Sequence, residues 1–154
     1  MQIGVIGSNR CSEEIVKIAT DVGREIARSG ATLVCGGMEG VMEAAARGAK
    51  EEGGRTIGIL PGFNKKQANK YIDFFIVTGM GEGRNVIVVK SSDAIIAIAG
   101  GSGTLSEIAF ALNASIPVVG LNTWDLRISG RKPEGIIRAR SAKDAVKKAL
   151  TMIK

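Results

Sequence analysis

Histidine is absent from the 154 residues. That removes imidazole acid–base catalysis, Ser-His and Cys-His nucleophilic pairs and imidazole metal ligation together, so any chemistry falls to carboxylates, Arg, Lys, hydroxyls or backbone amides. Only two cysteines occur. They are too few for a disulfide framework or a four-thiolate zinc site, and they suit a reducing cytosol. Aromatic residues make up 4% of the chain, which points to a core of Ile, Val, Leu and Ala. The longest apolar run, Ala94 to Ala99, is far short of the roughly 20 residues needed to cross a bilayer. The opening Met1-Gln2-Ile3-Gly4 sets no basic leader ahead of an apolar run. These absences lead to the expectation of a soluble, cytoplasmic protein with no membrane contact and no metal site.

What is present in quantity is glycine, at 21 residues, and basic charge, at a formal net +6. The charge is not evenly spread. Residues 1–126 carry 12 basic and 13 acidic side chains, whereas residues 127–154 carry nine and two. The main body is therefore near neutral, and the basic character belongs to the tail. There Arg138, Arg140, Lys143, Lys147, Lys148 and Lys154 interleave with Ala142, Ala145, Val146, Ala149, Leu150 and Ile153 at helical spacing. This predicts an amphipathic surface helix over 141–153, begun by a capping box at Ser141 to Asp144. No aromatic interleaves with it to stack on bases, so nucleic-acid binding is not expected.

Apolar runs of strand length alternate with stretches of helical spacing. Strands are predicted at Ile3 to Ile6, Thr32 to Cys35, Thr56 to Leu60, Phe75 to Val77, Ile95 to Ala99 and Val118 to Leu121. Helices are predicted at Ser12 to Arg28, Gly40 to Glu52, Arg84 to Lys90, Thr104 to Ala114 and Ala142 to Ile153. Asn122 to Glu134, with Gly130 and Pro133, reads as a long loop. Near-continuous apolar strands between helices belong to a mainly parallel sheet covered on both faces. The fold class is thus α/β, a single Rossmann-like, doubly wound domain over 1–154.

In such sheets ligands sit where strand ends turn into helices. The first turn, Gly7-Ser8-Asn9-Arg10, is not the dinucleotide fingerprint, and no P-loop motif occurs anywhere. The second turn, Cys35 to Glu43, reads C-G-G-M-E-G-V-M-E, and another, Ala99 to Glu107, reads A-G-G-S-G-T-L-S-E. Each sets a glycine pair after a strand and a third glycine where a helix begins. Such loops let backbone approach a ligand and aim free N–H groups at an anion. Gly36, Gly37 and Gly40, together with Gly100, Gly101, Ser102, Gly103 and Thr104, are therefore candidate phosphate-binding positions. The alternative is that these glycines only make tight turns. Gly7, Ser8 and Asn9 stand either at the same site or, for the two polar residues, as caps of the next helix.

These residues carry a resemblance. G-G-S-G-T-L-S-E at Gly100 to Glu107 is similar to the G-G-x-G-T-x-x-E of the LOG family of cytokinin-activating phosphoribohydrolases, and of its relatives the molybdenum cofactor carrier proteins. The Cys35 segment resembles that family's G-G-G-x-x-G-L-M-G. The resemblance implies a homodimer formed through helices flanking the site and a bound nucleoside monophosphate or molybdenum cofactor, with no other cofactor required. In the hydrolases an Arg and the motif's last Glu serve N-glycosidic cleavage; by position these are Arg84 and Glu107. The chain departs from the pattern where Ala99 replaces a Pro, Ser106 replaces the first of two Glu, and Arg84-Asn85 replaces Arg-Lys, preceded by Gly81-Glu82-Gly83 rather than M-H-E. Superfamily members are often labelled lysine decarboxylases, but a chain this short is not expected to carry that pyridoxal phosphate chemistry.

Two functions follow from the resemblance and the loops. The first is binding of a nucleotide or a phosphorylated pterin-type ligand; the second is hydrolysis of a nucleoside 5′-monophosphate to free base and ribose 5-phosphate. Glu107 is either the working carboxylate or the return partner of a capping box begun at Thr104. Arg84 is either an oxyanion fork or a solvated side chain at a helix start. Cys35 reads as core, Glu43 as a surface charge, and Met38 and Met42 as packing on a ligand base or a neighbouring helix.

Overall fold

The fold is described from a computed structural model, which covers residues 1–127, 129–130 and 135–153. Pro133 and Glu134 of the long loop, and Lys154 of the basic tail, lie outside the described residues. Among these residues are seven strands, β1 (Gln2–Gly7), β2 (Thr32–Cys35), β3 (Thr56–Leu60), β4 (Phe74–Val77), β5 (Ala94–Ile98), β6 (Val118–Leu121) and β7 (Ile136–Arg138), and five α-helices. The helices are α1 (Glu13–Arg28), α2 (Val41–Glu51), α3 (Asn85–Lys90), α4 (Ser102–Asn113) and α5 (Ala142–Met152). The sheet order is β4-β3-β2-β1-β5-β6-β7, and every pair is parallel. The fold is the Rossmann-like, doubly wound α/β class expected from the alternation.

Strand pleating divides the core. Ile3 and Val5 of β1, with Ala94, Ile96 and Ile98 of β5, pack on the face covered by α1, α2 and α5. Ile6, Ile95 and Ala97 point to the face covered by α3 and α4. Gly7 pairs with Ile98 at the C-terminal end of the central strands. The chain leaves these two positions toward opposite faces of the sheet, which opens a crevice between them.

On the first face, α1 and α2 touch backbone to backbone. A Cβ on Gly23 would lie 1.9 Å from the Ala45 carbonyl oxygen, and one on Gly48 would lie 1.9 Å from that of Thr20. Ser12 caps α1 by accepting from the Ile15 amide at 3.4 Å. Ser141 caps α5 by accepting from the Asp144 amide at 3.2 Å, as its capping sequence implied.

Three expectations change. Helix α4 starts at Ser102, two residues before Thr104, with Gly101 as its cap. The segment after the long loop holds a further strand, β7, which three residues beside a basic run do not reveal by periodicity. Strand β4, expected to be buried like the others, is exposed at all four positions, because it is an edge strand.

Placing a branched side chain between α1 and α2 forces backbone apart, and overpacking of this kind costs about 1–3 kcal/mol. Gly48→Val should lower the unfolding free energy by at least that much in chemical denaturation. Gly103→Ala, where a Cβ meets nothing within 4 Å, should leave it unchanged or slightly raised.

Candidate functional site

The crevice at the C-terminal ends of β1, β2 and β5 holds a cavity of about 380 Å³. Its walls come from Gly7, Ser8 and Asn9 after β1, Met38 and Met42 around the start of α2, and Pro61 after β3. The turn before α3 adds Gly81, Glu82, Arg84 and Asn85, and the start of α4 adds Gly101 to Thr104 and Glu107. A larger hollow of about 750 Å³ opens at the opposite end of the sheet, between Lys90, Asp93, Ser115 and Met152. Volume favours the second, chemistry the first: among the described residues, the buried side-chain polar atoms without partners belong only to Arg84, at the smaller cavity.

Arg84 closes a 3₁₀ turn, Gly81–Arg84, and directs its guanidinium inward. Nε and Nη1 are both buried and without a hydrogen bond. The seat exists because residue 36 is glycine; a Cβ there would stand 1.9 Å from Nη1. Burial lowers the guanidinium pKa, while the charge of Glu107 opposes that shift. Leaving charged donors unpaired in a protein interior is costly. Guanidinium donors of this kind suit an oxyanion.

Glu107 is 7% exposed. Burial pushes its carboxyl up from an ordinary 4.5 to about 7, with the Arg84 cation pulling the other way. It makes no hydrogen bond, so the capping box proposed from Thr104-Leu105-Ser106-Glu107 is not formed. With α4 beginning at Ser102 and capped by Gly101, Thr104 is already inside the helix and Glu107 lies a turn beyond the position that a capping-box partner would hold. A carboxyl titrating near neutrality beside a fixed cation can accept or release a proton at physiological pH.

The third component is backbone. Ala99 has φ 50° and Gly100 φ 119°, and a Cβ at Gly100 would collide with Thr104 at 2.6 Å. Proline, held near φ −65°, has no access to the conformation of Ala99. That departure from the family motif therefore has a backbone consequence. Beyond the bend, Gly101 and Gly103 face open space. The first amides of α4 have no intrahelical acceptor and sit at the positive end of the helix dipole.

The second glycine loop is used differently from the first. Gly36 makes room for Arg84, Gly37 (φ 72°) packs on Leu60 and Gly58, and Gly40 (φ 69°) packs against the Ser8 and Asn9 backbone. None of the three lines the cavity, nor does Gly100; that loop contributes Met38 and Met42 instead. Ser8 and Asn9 do line it and are not the cap of α1, a position held by Ser12. Arg10 is exposed and Glu43 partly buried, and both lie off the walls. Cys35 is core: burial pushes its thiol up to about 11.

Sequence reasoning missed Pro61, Gly81 and Glu82 as wall residues. Asn85, also on the wall, is 8% exposed and donates from Nδ2 to Ser106 Oγ at 3.3 Å. Ser106 in turn donates to the Gly103 carbonyl at 2.7 Å. The two polar departures from the family motif thus touch each other, and the signal that could have found this was their occurrence together.

The raised Glu107 pKa predicts a pH-dependent stability. A protonated carboxyl is favoured in the folded state, so its contribution is complete below pH 4.5 and lost as pH rises through about 7. Between those limits the unfolding free energy of Glu107→Gln should gain about 3 kcal/mol on the parent chain. Urea titrations across the range measure it; a difference independent of pH would contradict the assignment.

Known proteins share this fold. The molybdenum cofactor binding protein from Rippkaea orientalis superposes with a TM-score of 0.90 at 38% identity, over 99% of this chain and 97% of that one. The molybdenum cofactor carrier protein of Chlamydomonas reinhardtii superposes with a TM-score of 0.81 at 35% identity, over 97% and 98%. A cytokinin riboside 5′-monophosphate phosphoribohydrolase of Mycobacterium tuberculosis is 39% identical over 98 residues, which are 62% of this chain and 52% of that protein. The match thus spans about half the length of that hydrolase. A family model matches residues 1–149, and the chain belongs to the SLOG cluster4 family.

Proposed function

We propose that the chain binds a phosphorylated small molecule in the crevice between β1 and β5, with the phosphate lying between the N-terminus of α4 and Arg84. The observation that carries this reading is the buried guanidinium with two unpaired donors, set opposite a helix N-terminus whose glycines face open space. Met38, Met42 and Pro61 supply apolar wall for a flat ring. The similarity to cofactor-binding and carrier proteins favours a pterin-type cargo, whose phosphate would lie at Arg84 and α4 and whose ring would lie on the apolar wall. Among the described residues no cluster of His, Cys, Asp and Glu could itself hold a metal ion.

A second reading, hydrolysis of a nucleoside monophosphate, is favoured by one observation. Glu107 combines a pKa of about 7 with the nearby Arg84 charge, suited to acid–base work on a ribosyl bond. Against it stands the neutral Asn85–Ser106 contact, where the hydrolase pattern has Lys and Glu.

Incubation with AMP separates the two. Binding without release of adenine, weakened about tenfold or more by Gly36→Ala through displacement of the Arg84 guanidinium, is the expected outcome. Adenine release that disappears in Glu107→Gln would replace the binding reading with the hydrolytic one. Failure of AMP, ribose 5-phosphate and inorganic phosphate alike to stabilise the protein, with no phosphorylated molecule co-purifying in native mass spectrometry, would overturn both.

The assembly proposed with this function is a homodimer. Phe74 (61% exposed), Ile76 (50%), Met80 (54%) and Phe63 (89%) form an apolar edge with Phe75 and Val77. Together these leave roughly 600 Å² of apolar surface open, close to the about 800 Å² per partner of a standard interface. An identical strand is apolar at every position too, so a second copy of β4 is the matching occupant. Sedimentation should show a dimer that Ile76→Lys converts to monomer; a monomeric parent chain would rule this surface out.

A further inference from the structure

The Ala99–Thr104 loop does not hold its shape alone. After β6 the chain turns at Asn122, in the left-handed region at φ 52°. That turn brings Thr123 and Trp124 back over the loop. The Thr123 hydroxyl donates to the Ala99 carbonyl. The Trp124 indole N–H donates to the Gly101 carbonyl at 3.3 Å. The Ala99 amide completes the attachment by donating to the Leu121 carbonyl at 3.4 Å. Neither Thr123 nor Trp124 lines the cavity; both border a small separate cleft behind it, with Gly120 and Ile136.

We propose that Thr123 and Trp124 are positioning residues that latch the Ala99–Gly101 carbonyls to the β6 end, and so keep the first amides of α4 presented to the ligand. The function rests on the phosphate reading given above; the latch itself does not. A left-handed Ala99 is disfavoured for any residue with a Cβ and needs an outside constraint. The constraint observed is this pair of side-chain donors. Carbonyls taken up on the β6 side are also carbonyls turned away from an arriving anion, whose approach they would oppose electrostatically. Leu105 reinforces the arrangement by donating to the same Gly101 oxygen at 3.0 Å, which joins the latch to the first turn of α4.

Trp124 is the chain's single tryptophan, so the latch carries its own reporter. Binding of a phosphorylated ligand at α4 should change its fluorescence although the ring does not touch the cavity, and Gly101→Val should abolish that response.

The test compares Thr123→Val, Thr123→Ser and Trp124→Phe with the parent chain. Backbone order parameters of Gly100 and Gly101 should stand near 0.85 in the parent, fall toward about 0.6 in Thr123→Val and Trp124→Phe, and return in Thr123→Ser, which keeps the hydroxyl. AMP affinity should fall about tenfold in the first two and recover in the third, while circular dichroism shows the sheet intact. Unchanged order parameters in Thr123→Val and Trp124→Phe overturn the latch. Lowered order parameters with unchanged AMP affinity overturn its role in binding. Failure of the parent chain to bind AMP, ribose 5-phosphate or inorganic phosphate removes the phosphate reading instead, and leaves the order parameters to decide the latch.

Discussion

The parallel pairing of β1 with β5 is the constraint from which the site follows. Gly7 stands against Ile98 so closely that a Cβ at residue 7 would lie 2.4 Å from the Ile98 carbonyl oxygen. The two strands end together, and their chains depart to opposite faces. One carries Ser8 and Asn9 toward α1; the other carries the left-handed bend at Ala99 into α4. A crevice at that point is a consequence of topology, and the cavity lies in it.

What fills the crevice wall is an electrostatic arrangement left deliberately incomplete by the fold. Arg84 holds Nε and Nη1 buried without hydrogen bonds, and the neighbouring Glu107 carboxyl is largely desolvated. Each raises the other's tendency to ionise, but neither meets the other's hydrogen-bonding need. The cost is supported by a large apolar core on both faces of the sheet and by close backbone contact between α1 and α2. Stability is concentrated away from the site, and the unsatisfied donors are concentrated in it.

Much of this was legible in the sequence. The alternation of apolar strands with helices implied the doubly wound sheet, because strands buried on both faces need apolar residues at nearly every position. The motif at Gly100 to Glu107 drew attention to the end of β5, and the Arg84 and Glu107 picked out by position both line the cavity that opens there. Two departures have specific causes. A helix start placed two residues late left a cap open as the alternative role of Glu107, since Thr-x-x-Glu fits a capping box equally well inside a helix. Strand β4 was read as buried because composition does not distinguish an edge strand from a central one.

The sequence by itself determined the layer architecture, the near-neutral body with its basic tail, and the exclusion of imidazole chemistry, because these depend on periodicity and composition alone. Tertiary structure decided the roles. Gly36 and Gly101 look alike along the chain, yet one yields its missing Cβ to a guanidinium and the other leaves its backbone open. Asn85 and Ser106, distant in sequence, become one hydrogen-bonded pair; Thr123 and Trp124, in a loop without a recognisable motif, come to hold the carbonyls of another strand's turn. Which neighbour occupies the space beside a residue is settled when strands from separate parts of the chain pair, and no local pattern records it.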